Sequence, residues 1–133
     1  MNENSVTDVL AFLEGKDKKV AYDFLLMPFG CSHKDVSYVS TQENYGATIP
    51  DLVIHLNNGA GIKVEVKIND APLTESEKSP YTRDLFIIPA NYSDMRSIPA
   101  SVKKTTWTDF FRYCDRRHCE MQGLNALRFA LGI

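Results

Sequence analysis

Residues 50–68 read PDLVIHLNNGAGIKVEVKI, and this stretch decides the fold. Ile62 to Ile68 alternate strictly: Ile62, Val64, Val66 and Ile68 take one side, Lys63, Glu65 and Lys67 the other. A side-chain period of two marks a β-strand with one core face. Asn57-Asn58-Gly59-Ala60-Gly61 marks a turn, because Asn and Gly tolerate positive φ. Asp51 to Leu56 before it reads as the partner strand, with Asp51, Val53 and His55 on one face. Folding about Gly59 pairs positions that sum to roughly 118, which sets Asp51 opposite or diagonal to Lys67 and Glu65. A slip of one residue would move Asp51 to the other face.

Asp51, Glu65 and Lys67 therefore meet on one side of a hairpin. Two carboxylates supply hard oxygen ligands for Mg²⁺, and the backbone carbonyl of Val66, between Glu65 and Lys67, is a candidate further ligand. A lysine beside them orients an attacking water or offsets developing negative charge. This is the equipment of metal-assisted phosphodiester hydrolysis. A Lys-x-Glu-x-Lys strand is also the pattern of a solvated face with cross-strand ion pairs, and from alternation alone that is the commoner reading.

Working outward, residues 5–28 read as helical with a break at Gly15, on the spacing of Val6, Val9, Leu10, Leu13 and of Val20, Ala21, Phe24, Leu25. Pro28 and Gly30 end that region. Residues 35–41 read as a strand and 84–89 as a short buried one. Residues 71–83 suggest a short helix, with Thr74 and Glu77 as a capping box, although Pro80 falls in its interior. Residues 105–119 read as a helix capped by Thr106 or Thr108, with Trp107, Phe110, Phe111 and Cys114 as its apolar stripe. Residues 120–132 read as a last helix set off by Gly123. The expectation is an α/β domain over residues 1–133, with about four strands in a mixed sheet flanked by helices.

At 133 residues the chain suits one domain. No apolar run reaches membrane-spanning length and no signal peptide is evident, so a cytoplasmic protein is expected. Cys31, Cys114 and Cys119 are odd in number and form no CxxC pair, which argues against a disulfide framework. Cys31 with His33, or Cys114 with His118 and Cys119, makes a weak zinc pattern, and scattered thiols are the commoner reading. A net charge of -2 lends no support to constitutive nucleic-acid binding. The local basic candidates for phosphate contact are Lys103, Lys104, Arg112, Arg116 and Arg117, with Lys16, Lys18 and Lys19 near the N-terminus. His55 is expected to be a hydrogen-bonded strand histidine.

Pro50-Asp51, a turn, and then Glu65-Val66-Lys67 resemble the motif of the PD-(D/E)XK nuclease superfamily. The later segments DLFIIPANY and TTWTDFF are similar to small bacterial members, and the resemblance spans roughly residues 7 to 115. It implies a restriction-endonuclease-like core of order α-β-β-β-α-β with C-terminal helices. It also implies a Mg²⁺-dependent nuclease, with Mn²⁺ as a substitute, acting on nucleic acid and most simply on DNA. Asp51 and Glu65 would bind the metal, and Lys67 would be the catalytic lysine. Many members add an acidic residue from the first helix, for which Glu14 and Asp23 are candidates, with Glu43 a third. Where members often carry a glutamine after the lysine, this chain has Glu77, near the disruptive Pro80. The alternative is a catalytically weak nuclease-fold module binding nucleic acid or a protein partner in a regulatory or defence-related role. A homodimer would suit cleavage of two strands.

Overall fold

A computed structural model describes residues 2–117, 119 and 122–133. Two helices open the chain: α1 (Glu3–Ala11) and α2 (Gly15–Leu26). Asn2 caps α1 by accepting from the Ser5 amide at 2.8 Å. The chain leaves α1 at Phe12, and Gly15 at φ +58 starts α2, so the break falls where the glycine predicts it. Val6 and Leu10 of α1, and Ala21 and Leu25 of α2, are buried at one-turn spacing.

Five strands follow: β1 (Val36–Thr41), β2 (Leu52–Leu56), β3 (Gly61–Val66), β4 (Leu85–Ile88) and β5 (Lys103–Thr106). They lie side by side in chain order, β1-β2-β3 antiparallel and β3-β4-β5 parallel. The sheet is thus mixed, with one more strand than expected. Helices α3 (Trp107–Arg116) and α4 (Gln122–Leu131) complete the chain.

The two faces of the sheet differ. Leu52, Ile54 and Leu56, Ile62, Val64 and Val66, and Leu85 and Ile87 pack under the helices with Leu10, Leu25, Trp107 and Phe110. On the other face a smaller cluster joins Phe86 and Ile88 to Leu73, Tyr92, Ile98 and Val102. All four residues of β4 are buried, as befits a parallel strand covered on both sides.

Three expectations are corrected. Residues 71–83 form no helix: Thr74 and Glu77 make both capping-box bonds and Lys78 closes one turn on Thr74. Pro80 has no N–H to extend it. Residues 103–106 are a strand rather than loop and helix start. Thr106 ends β5 and caps α3, accepting from the Asp109 amide at 3.1 Å. Gly123 lies within α4 rather than ahead of it.

Candidate functional site

The hairpin sets the geometry. Gly59, at φ +90, closes a tight turn in which the Leu56 amide donates to Ala60 at 2.8 Å. Leu52 then faces Val64, and Ile54 faces Ile62. Carried one step further, this register sets Asp51 opposite Glu65 rather than Lys67. The difference from the sequence estimate is an even number of positions, so every side chain keeps its face. One more step sets Pro50 opposite Val66. Proline has no N–H, so nothing on β2 can donate to the Val66 carbonyl there. The Val66 amide instead donates to Asp51 Oδ2 at 2.8 Å, which fixes the Asp51 carboxylate against the end of β3.

Glu65 and Lys67 are buried, 4% and 5% exposed, so this is not a solvated outer face. Their partners come from the following loop. Lys67 Nζ donates to Glu77 Oε1 at 2.9 Å, and the Thr74 amide donates to the same oxygen. Arg83 Nε donates to Glu65 Oε1 at 2.6 Å. Arg83 Nη1 also donates to the Thr82 carbonyl at 2.9 Å and to Thr48 Oγ1. Glu77 and Arg83 are themselves buried. From the helix layer, Trp107 Nε1 donates to the Lys67 carbonyl at 2.8 Å and pins the chain just beyond β3.

The electrostatics follow from this crowding. Burial, then the adjoining Asp51 and Glu77 carboxyl groups, push Glu65 up to about 10. Burial pulls Lys67 down, but the Glu77 hydrogen bond and the surrounding carboxylates outweigh it and raise the ammonium overall. Burial likewise favours neutral Glu77, but hydrogen bonds from Thr74, Glu65 and Lys67 hold it below the usual range. Glu3, at the start of α1, feels Lys67, Asp51 and Glu77, and burial raises it. Burial and the neighbouring acids thus favour a proton on Glu65, which leaves Asp51, Glu77 and the more distant Glu3 around Lys67 and Arg83.

The donor set fits a divalent ion. Asp51, Glu65 and the Val66 carbonyl offer hard oxygens only, as Mg²⁺ requires. Among the described residues no group of three or more His, Cys, Asp or Glu side chains forms a ready metal cage. Mg²⁺ is commonly held by one or two carboxylates, with waters and substrate oxygens completing its shell. Beside the cluster runs a groove of about 470 Å³ lined by Asn2, Glu3, Asn4, Ile68, Asn69 and Ala71.

The other candidates lie elsewhere. Glu14 is exposed ahead of α2 and makes no capping bond. Asp23 is bound to His33, accepting from its amide at 2.7 Å and contacting Nδ1 at 2.8 Å. Glu43 lies 3.3 Å from His55 Nε2 and accepts from Ser40 Oγ at 3.2 Å. Ser40 Oγ also lies 3.0 Å from His55 Nε2. Hydroxyl and acid therefore meet the same ring nitrogen, which is not the relay arrangement of a serine hydrolase. The acidic residue of the first helix that feels the charges of Lys67, Asp51 and Glu77 is Glu3. Arg83 and Glu3 are the site residues that the sequence reading missed.

Arg112 and Arg116 on α3, and Arg117 just past its end, are exposed, and the buried stripe of α3 packs on the helix side of the sheet, away from Glu65. Lys103 and Lys104 lie exposed on edge strand β5. Lys16, Lys18 and Lys19 lie on α2. Cys114 is buried in the helix-side core, where burial pushes its thiol up to about 12. Cys31 donates to the Phe29 carbonyl, and His118 lies outside the described residues. On the Asp51 face, Tyr38 stacks on His55 at 4.1 Å, and Lys63 Nζ lies 4.5 Å over the Tyr45 ring. The exposed tyrosines among the described residues are these two and Tyr81, between Glu77 and Arg83. No described helix is long and apolar enough to cross a membrane.

The chain matches no protein-family model, no curated protein and no solved structure.

Proposed function

We propose that this chain is a divalent-metal-dependent nuclease on a restriction-endonuclease-like core, hydrolysing phosphodiester bonds in nucleic acid, most simply DNA. One observation carries the reading: Glu65 and Lys67 are buried side by side on β3 with the Asp51 carboxylate drawn against the strand end. Burying two ionisable groups side by side carries a desolvation cost of several kcal/mol for each charge before pairing, a cost that a functional cluster accounts for. The helix-first order and the antiparallel meander leading into parallel strands agree with that core.

Asp51, Glu65 and the Val66 carbonyl would hold Mg²⁺ or Mn²⁺. When bound, the ion supplies Lewis-acid stabilisation of phosphate charge and lowers the pKa of a coordinated water. The chain's own groups do the rest. Glu77 and the nearby carboxylates keep Lys67 protonated, so its ammonium orients the attacking oxygen and offsets negative charge rather than acting as a base. Asp51 is held for its task by the Val66 amide, and Lys67 by Trp107 and Glu77. The exposed Tyr38 and Tyr45 rings offer bases a stacking surface.

Purified protein is incubated with plasmid and single-stranded DNA in Mg²⁺, Mn²⁺ or EDTA. Cleavage is expected only with metal, and Lys67→Ala is expected to lower it by about 10²-fold or more. Equal cleavage by Lys67→Ala, or none by any preparation, would overturn the reading. A second reading, a module that binds without cutting, is favoured by the Arg83–Glu65 contact, which already occupies one acid within the protein. Metal binding by calorimetry without cleavage would select it.

A further inference from the structure

We propose that Arg83 is the resident counter-ion of the metal site, and that a divalent cation binds by displacing its guanidinium from Glu65. The inference rests on the nuclease reading and adds how the site takes up its ion.

The geometry carries it. Arg83 Nε donates to Glu65 Oε1 at 2.6 Å, with both side chains nearly inaccessible. A guanidinium at that oxygen and an ion ligated by it compete for the same lone pairs. Arg83 does not depend on Glu65 alone. Its Nη1 bonds to the Thr82 carbonyl at 2.9 Å and to Thr48 Oγ1, so the fork keeps partners when Nε is released. Lys67 is not the competitor, because its ammonium is bound to Glu77.

Direct competition also differs from long-range repulsion in what it predicts. Arg83→Lys retains the positive charge but loses the planar fork that reaches Glu65 and Thr48 together. Direct competition predicts that this variant binds Mg²⁺ about tenfold more tightly, the worth of one charge-assisted hydrogen bond. Repulsion alone predicts no change in Arg83→Lys and tighter binding only in Arg83→Gln.

The test has two arms. Mg²⁺ is titrated by calorimetry into wild type and Arg83→Lys, with circular dichroism checking that the variant folds. Wild-type protein labelled with ¹⁵N-arginine is then followed by NMR at the Arg83 Nε–H, assigned by its loss in the variant. A shift or faster solvent exchange of that signal at Mg²⁺ saturation is expected. An unmoved Nε–H signal while calorimetry records binding, or equal affinity in Arg83→Lys, overturns the proposal and leaves the nuclease reading standing. If no Mg²⁺ binds at millimolar concentration, both fall. Should Arg83→Lys not fold, Arg83→Gln supplies the assignment and the wild-type NMR arm decides.

Discussion

On the proposed reading Glu77 stands where a glutamine is often found, and its contacts say how an acid would serve there. Its Oε1 accepts from both the Thr74 amide and Lys67 Nζ. A glutamine carbonyl makes the same two bonds without the charge. Glu77→Gln should therefore stay folded and lose roughly tenfold in cleavage rate, the worth of one charge-assisted bond. Glu77→Ala leaves the Lys67 ammonium buried and unpaired and should cost about 3 kcal/mol in urea unfolding. Equal stability of the two variants would show that the pair is not what holds Lys67. Glu65 carries the pH dependence. Its folded value lies near 10 against an ordinary 4.5. Between those values the folded protein keeps a proton that the unfolded chain has released. Its contribution is thus complete below the ordinary carboxylate range and fades as pH rises towards 10. In EDTA the wild-type urea midpoint should fall from pH 6 to pH 9, and Glu65→Gln should fall less. Parallel slopes would rule out Glu65 as the source.

At the scale of elements, α3 and β3 are joined through Trp107. Its indole N–H satisfies the Lys67 carbonyl, while its ring packs edge-on against Phe110 at 5.7 Å. Trp107→Phe keeps an aromatic ring but removes the donor, at a cost of about 2–3 kcal/mol. It should lower cleavage beyond what its stability loss explains, because the backbone of Lys67 is freed. Phe110→Leu, in the same core but without contact to Lys67, should cost about 1–2 kcal/mol and leave the rate of the folded fraction unchanged. Equal loss of rate in both would deny α3 a positioning role. This coupling also marks where sequence reasoning stops. The β2–β3 hairpin was legible because alternation and turn chemistry are local, and Asp51, Glu65 and Lys67 came with it. β5 was not: Lys103 to Thr106 are four residues with no apolar alternation, and they are a strand because β4 pairs with them. Thr74 and Glu77 were read correctly as a capping pair, but the helix they would start ends after one turn at Pro80. Arg83 reaches Glu65 across 18 positions, and Glu3 reaches the cluster from the first helical turn. No local period reports such contacts.

At the scale of the whole molecule, the sheet separates two kinds of surface. The helix side holds the larger core, and two of the arginines there are engaged locally: Arg117 lies 3.4 Å over the Tyr113 ring and Arg112 pairs with Asp109 at 3.5 Å. The other side holds the carboxylates, Lys63, and the stacked Tyr38–His55 pair along β1, β2 and β3. If nucleic acid is cut at Glu65, its path must run along this second side, and the exposed tyrosines lie there while the arginine cluster does not. On that reading the basic clusters of the sequence do not mark the contact surface. The consequence can be measured with a labelled single-stranded oligonucleotide, by anisotropy in EDTA across a salt series. Tyr38→Ala should weaken binding by about 1–3 kcal/mol if a base stacks on that ring. Lys63→Ala should lower the salt slope by about 1, as expected for one phosphate contact. The triple Ala variant at Arg112, Arg116 and Arg117 should change neither affinity nor slope. If the triple variant abolishes binding while Tyr38→Ala and Lys63→Ala do not, the nucleic acid lies across the helix layer, on the wrong side of the sheet to reach Asp51, Glu65 and Lys67, and the cluster must then act on something else.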